Sequence, residues 1–146
     1  MVWHRDLALL HTAEGDPPIR VLAVGWLGFF TLRRGATPAR FQELLAELCR
    51  RAPVATATAG FHPCRLGSCL WRWWLGRRFS AGSAEIIVPG RDGKIYRAPT
   101  LIAHYVNRHR YRPPQEFIEA VLALDRPGGL DWEAVEHLAG PLWPAR

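Results

Sequence analysis

Five side chains that can bind a metal lie in two groups along the chain. The first group is His62, Cys64 and Cys69, and the second is His104 and His109. Thiolates and imidazoles are the usual ligands of structural zinc. Four residues separate Cys64 from Cys69, and four separate His104 from His109, which is within the spacings such sites use. The pattern predicts a structural zinc site built from Cys64, Cys69, His104 and His109, with His62 as an alternative ligand.

The sequence around these ligands predicts the secondary-structure elements that position them. Residues 60–82 form an irregular loop bent by proline and glycine, and this loop carries the cysteines. Two β-branched segments, Glu85–Val88 and Lys94–Tyr96, flank Asp92-Gly93 and predict a β-hairpin. A helix that opens after Pro99 then carries both histidines. Over residues 60–109 this order of loop, hairpin and helix resembles a treble-clef zinc finger.

The spacing of the two histidines restricts how both can bind one metal ion. Positions 104 and 109 lie about 140° apart around an ideal helix, so the two rings converge only if the helix ends or distorts near His109. Tyr111-Arg112-Pro113-Pro114 stops the helix just beyond that point. The alternative interpretation is that the cysteines are ordinary buried thiols and the histidines are hydrogen-bonded without any metal.

The remaining segments predict an α+β fold. Ile19–Val24, Phe29–Leu32 and Val54–Thr58 have the composition of strands. Further helices are expected in three places: after Thr37 as N-cap and Pro38 until Ala52-Pro53, over Pro114–Leu124, and over Trp132–Leu138 behind an Asp131 cap. The prediction is one domain spanning residues 1–146, with a small, mainly antiparallel sheet and about four helices.

Composition narrows the class of protein. A chain of 146 residues with 49% hydrophobic and 22% charged residues is that of a globular domain able to bury its own core. Apolar runs are too short for a membrane helix, and the N-terminus lacks signal-peptide architecture. Three cysteines argue against a disulfide framework and, with the absence of targeting signals, favour the cytoplasm. Cys49, beside a helical apolar stripe, is predicted to be a core residue.

A cluster of aromatic and basic residues is the second functional candidate. Its members are Trp71, Arg72, Trp73, Trp74, Arg77 and Arg78. Tryptophan and arginine are enriched in the hot spots of protein interfaces, which favours a protein partner. Bases can also stack on aromatic rings while arginines neutralise phosphates, so a nucleic-acid partner is an alternative, consistent with the net charge of +6. The third interpretation is core packing beneath arginine stems.

An enzyme is the less favoured class. Cys64 or Cys69 can act as a nucleophile with His62 or His104 as base, which describes a Cys/His- or metal-dependent hydrolase. A nuclease of the His-Asn-His type shares the hairpin-helix layout but needs a histidine on the hairpin, and residues 85–96 contain none. The leading hypothesis is therefore a non-enzymatic cytoplasmic domain that binds a macromolecule, with no small-molecule substrate and no membrane partner.

Several motifs together resemble one small family. They are Gly25-Trp26-Leu27, Gly60-Phe61-His62-Pro63-Cys64, Glu85-Ile86-Ile87-Val88, Tyr96-Arg97-Ala98-Pro99, Leu101-Ile102-Ala103-His104-Tyr105-Val106 and His109-Arg110-Tyr111-Arg112-Pro113-Pro114-Gln115-Glu116-Phe117. Over residues 5–124 the chain is similar to a small bacterial family known as a domain of unknown function. The resemblance implies one integrated domain and no activity or ligand.

The chain departs from that family pattern in the cysteine loop. The pattern places a second cysteine two residues after the first, where this chain has Leu66-Gly67, and Cys69 follows later. Either the loop has gained an insertion or the second thiol has been lost.

Overall fold

The computed structural model describes residues 4–27, 32–52, 64, 66, 67, 69 and 84–142, the side chains of residues 138–142 excepted. Its strands are β1 (Leu9–Ala13), β2 (Ile19–Ala23), β3 (Glu85–Pro89), β4 (Lys94–Pro99), β5 (Asp125–Arg126) and β6 (Gly129–Leu130). Its helices are α1 (Ala39–Arg51), α2 (Ile102–His109), α3 (Gln115–Leu122) and α4 (Trp132–Leu142). The predicted α+β class is confirmed, with four helices in the described ranges.

The main sheet has the strand order β1-β2-β4-β3. The β1–β2 and β3–β4 pairs are antiparallel, as predicted for most of the sheet. The central pair, β2 and β4, is parallel, with Val21 opposite Ile95 and Leu22 opposite Tyr96. Strands β5 and β6 form a separate small hairpin. The parallel pair matters for the site because it anchors the β3–β4 hairpin, and the helix that follows it, to the N-terminal part of the chain.

The predicted β3–β4 hairpin is confirmed, and its turn has a clear backbone cause. Asp92 and Gly93 both have positive φ, of 56° and 70°. Two consecutive residues in this region give the turn the twist that hairpin strands need, and glycine takes such a φ without a steric penalty. The amide of Lys94 closes the turn on the Arg91 carbonyl at 3.0 Å.

Helix α1 begins one residue later than expected. Pro38 is the N-cap instead of Thr37, and no side chain caps the helix. The Thr37 hydroxyl instead accepts a hydrogen bond from the side chain of Gln42 at 2.9 Å. The buried stripe of α1 is the one predicted, and Phe41 contacts the ring of Phe117 edge-on in α3.

The last two helices follow their sequence signals. Helix α3 buries Phe117, Ile118 and Val121, while Leu122 is only half-buried. Asp131 caps α4, because its carboxylate accepts the amide of Ala134 at 3.1 Å.

Some expectations concern residues that the structure does not describe. The predicted strand at Val54–Thr58 lies outside the described residues, and so does Phe29–Leu32 apart from Leu32 itself. Strand β1 was not predicted; its residues are mostly exposed and it forms one edge of the sheet, so its sequence carries no apolar alternation. In the described part of the chain, no helix has the length and apolarity required to span a bilayer.

Candidate metal centre

Helix α2 brings its two histidines together by ending at the second one. Its last residue is His109, and Arg110 follows with a left-handed φ of 55° and its amide bonded to the Tyr105 carbonyl. The end of the helix therefore sits beside the His109 ring, as the spacing required. The rings of His104 and His109 lie with their centroids 5.1 Å apart.

The two cysteines approach this helix from the segment before the hairpin. Cys64 and Cys69 are each 4% exposed. The amide of Leu66 donates to the Cys64 Sγ at 3.5 Å, and the amide of Cys69 donates to the Leu66 carbonyl at 3.1 Å. Gly67 has a positive φ of 51°, which bends the chain between the thiols. Backbone hydrogen bonds to sulfur favour the thiolate form that a metal requires.

The four ligand atoms lie within 4.8 Å of one another. Cys64 Sγ is 3.2 Å from His109 Nε2, while Cys69 Sγ is 3.4 Å from His109 Nε2 and 3.5 Å from His104 Nε2. Zinc–sulfur and zinc–nitrogen bond lengths in a tetrahedron imply a sulfur–nitrogen separation of about 3.5 Å. These three sulfur–nitrogen distances match those of a tetrahedral zinc centre, and the four atoms are close enough together to hold a metal ion.

Hydrogen bonding alone accounts for this cluster less well. The Nε2 of His109 has a single lone pair or a single proton, yet it is close to both sulfurs. One of these two contacts is then left without a hydrogen bond. A cation between the four atoms would satisfy all of them together.

Burial governs the ionisation of the metal-free cluster. It raises the pKa of the Cys64 thiol to about 12, with the Cys69 sulfur adding a smaller effect and the Leu66 amide opposing it. Burial also lowers the pKa of His104 and of His109. The neighbouring His109 and Arg108 act in the same direction on His104, and Arg108 and Arg34 do so on His109. Neutral imidazoles are ready to bind a metal, whereas the Cys64 thiol must first lose its proton.

A hydrogen-bonded support lies directly behind the end of α2. Tyr111 is fully buried, and its hydroxyl donates to the carboxylate of Asp6 at 2.8 Å. The same carboxylate accepts the amide of Gly25 at 2.9 Å. The N-terminal segment is thereby tied to the residue two positions after His109. Sequence patterns gave no sign of Asp6, because its partner Tyr111 lies 105 residues away along the chain.

The structure places the Cys69 sulfur in the same cluster as that of Cys64, although four residues separate the two cysteines. Cys49 is half-buried against the core and lies outside the cluster, in agreement with its predicted packing role. The alternative ligand His62 lies outside the described residues, and so do Trp71, Arg72, Trp73, Trp74, Arg77 and Arg78.

Fold and cluster together define an α+β domain with a Cys2His2 group that could hold a metal. The chain belongs to the family described as a domain of unknown function, DUF7919, whose model matches residues 2–122. No curated protein and no solved structure matches the chain.

Proposed function

We propose that Cys64, Cys69, His104 and His109 bind one structural zinc ion. The observation that carries the proposal is the convergence of two sulfurs and two imidazole nitrogens within 4.8 Å. This ligand set is typical of closed structural zinc sites. The ion would join the cysteine loop to the end of α2, across the β3–β4 hairpin.

A structural role is favoured over hydrolysis by the number and state of the ligands. Four protein ligands complete a tetrahedron, whereas a catalytic zinc keeps one position for water or substrate. A cysteine nucleophile needs a lowered pKa, and burial moves the pKa of Cys64 in the opposite direction, to about 12. Both features support a domain that binds rather than one that catalyses.

The binding role we propose is that of a cytoplasmic module that recognises another macromolecule. Free thiols that bind zinc persist in a reducing compartment, which supports the location. The composition of the cluster at residues 71–78 supports a protein partner, since tryptophan and arginine concentrate binding energy at interfaces.

Metal content tests the zinc proposal directly. We expect about one zinc per chain in the purified protein by elemental analysis, and loss of that zinc in Cys69→Ser. The matched control is Cys49→Ser, which removes a half-buried thiol outside the cluster and should leave the zinc content unchanged. Equal zinc content in all three proteins, or none in the parent, would reject the site.

The partner surface is tested separately. The test variant carries both Trp73→Ala and Trp74→Ala. We expect it to keep the melting temperature and zinc content of the parent, but no longer to bind a protein that the parent binds in a pull-down. A large loss of folded protein would instead assign these rings to the core.

A further inference from the structure

Four exposed arginines lie at the junction between α2 and α3. They are Arg33, Arg108, Arg110 and Arg112, here called the arginine face. Distant parts of the chain supply them: one precedes α1, one lies in the last turn of α2, and two follow that helix. The fold therefore brings together positive side chains that are far apart in the sequence.

Backbone pairing fixes these arginines relative to one another. The amide of Arg112 donates to the Arg33 carbonyl at 2.8 Å, and the amide of Gly35 donates to the Arg110 carbonyl at 3.0 Å. These two bonds frame an antiparallel bridge at Tyr111, whose side chain is buried. Since neighbouring residues of an extended chain point to opposite sides, Arg112 points away from the buried side chain of Tyr111. Arg33, opposite Arg112, shares its side, and Arg110, the left-handed residue that ends α2, is exposed beside them.

The charge of this face is not neutralised within the described residues. The ion pairs among the described residues involve four other basic residues, Arg40, Lys94, Arg97 and Arg126. Arg112 donates to the carbonyl of Ala36 and the side-chain oxygen of Gln115, which are neutral acceptors. Asp6 lies behind the bridge, where the Tyr111 hydroxyl and the Gly25 amide occupy its carboxylate.

The backbone at Arg110 gives independent support. Its φ of 55° lies in the left-handed region, at the end of a helix where glycine or asparagine is usual. An arginine there bears a conformational cost that a glycine would not. Strain retained at an exposed residue is a mark of a functional position.

We propose that the arginine face binds the phosphate backbone of nucleic acid. Guanidinium groups match phosphate oxygens in a bidentate geometry and keep their charge at any physiological pH. A membrane surface is the weaker fit, because interfacial binding needs apolar side chains beside the charge. In the described residues the exposed large hydrophobic side chains are Leu7 and Leu9, and neither belongs to this face. The inference goes beyond the proposed function, since it uses residues other than the metal ligands and the 71–78 cluster.

Salt-dependent binding to labelled oligonucleotides tests the proposal. The probes are a mixed-sequence single-stranded 20-mer and its duplex, titrated with the parent protein by fluorescence anisotropy over a range of salt. The test variant combines Arg33→Gln with Arg110→Gly, since glycine suits the left-handed backbone. Each lost phosphate contact should reduce the slope of log affinity against log salt by about 0.7 for single strands or 0.9 for duplex. Between 50 and 200 mM salt the parent should therefore lose about tenfold more affinity than the variant.

The control variant, Arg20→Gln with Arg91→Gln, removes the same charge from exposed arginines at the hairpin end of the sheet. It should retain the parental slope. An unchanged slope in the test variant, an equal change in the control, or binding to phosphatidylserine vesicles without binding to either oligonucleotide would overturn the proposal. Zinc content, measured on the same samples, reports on the metal proposal independently of these outcomes.

Discussion

The ionisation of the four ligands makes zinc binding a proton-releasing event. Burial raises the pKa of the Cys64 thiol to about 12 and lowers the pKa of both histidines. In the metal-free protein at neutral pH the Cys64 thiol is therefore protonated and the imidazoles are neutral. Metal binding must remove the Cys64 proton and has none to remove from the imidazoles.

We expect zinc binding at pH 7.5 to release at least the proton of Cys64 and none from the histidines. Calorimetric titration in buffers with different ionisation enthalpies counts the protons released. Affinity should rise with pH, because a raised thiol pKa means that the proton competes with the metal throughout the neutral range. No proton release, or release of four protons, would contradict this assignment.

Arg110 allows a test of backbone strain at a single position. Its φ of 55° is costly for a side chain with a Cβ and costs glycine nothing. We expect Arg110→Gly to stabilise the protein by about 1 kcal/mol, measured from the urea midpoint at constant slope. Arg108→Gly is the matched control, because residue 108 is helical and glycine there should destabilise by about 1 kcal/mol. Equal destabilisation by both would show that Arg110 is not strained.

At the scale of elements, the β3–β4 hairpin is what places the site, since α2 follows β4 after two residues. Its turn also supports the N-terminal strands. The carbonyl of Gly93 accepts the amide of Arg20 at 2.8 Å, and the glycine lies against Pro18. A change at this turn therefore affects the hairpin and the β1–β2 connection together.

Gly93→Ala should be costly for two reasons. The φ of Gly93 is 70°, and an added Cβ would lie 2.7 Å from the Pro18 carbonyl oxygen, which is backbone. We expect a loss of about 2 kcal/mol in the free energy of unfolding. Gly67→Ala is the comparison, because its φ of 51° is similar but no atom of the described residues lies within 4 Å of the added methyl. That change should cost about 1 kcal/mol, and equal losses would mean that the Pro18 contact contributes nothing.

For the whole molecule, zinc would link the loop before the hairpin to the helix after it. Zinc contributes roughly 10–16 kcal/mol in finger peptides that fold only with metal. This chain also buries an extensive core, with side chains from α1, α2, α3 and the main sheet. The metal should therefore stabilise a fold that exists without it.

Removing the metal tests whether the fold exists without it. We expect a strong chelator to lower the melting temperature on the order of 10 °C while most helical circular dichroism at 20 °C is retained. The Cys69→Ser variant should melt near the chelated parent and show no further response to chelator. Complete loss of helical signal on chelation would mean that the core cannot form without the ion.

Local signals predicted the parts of this molecule that local physics determines. The Asp92-Gly93 turn, the apolar stripe of α1 and the Asp131 cap each depend on residues a few positions apart. The convergence of Cys64, Cys69, His104 and His109 was also predictable, because pairs of cysteine and histidine at short spacings are the usual pattern of structural zinc sites. These features need no knowledge of distant contacts.

Long-range pairing could not be predicted in the same way. Nothing in Ile19–Ala23 specifies Lys94–Pro99 as its neighbour, since a buried apolar strand fits many partners. Strand β1 gave no alternation because it is an exposed edge. The arginine face could not be predicted for the same reason: its members become neighbours only when residues 33–35 pair with residues 110–112.

The parallel pairing of β2 with β4 has a consequence for synthesis on the ribosome. β2 emerges early, yet one of its two edges has no neighbour until Lys94–Pro99 has been translated. During that interval the nascent chain exposes an apolar strand with unpaired amides and carbonyls, a state vulnerable to aggregation. The N-terminal half thus waits for the C-terminal half before its sheet can close.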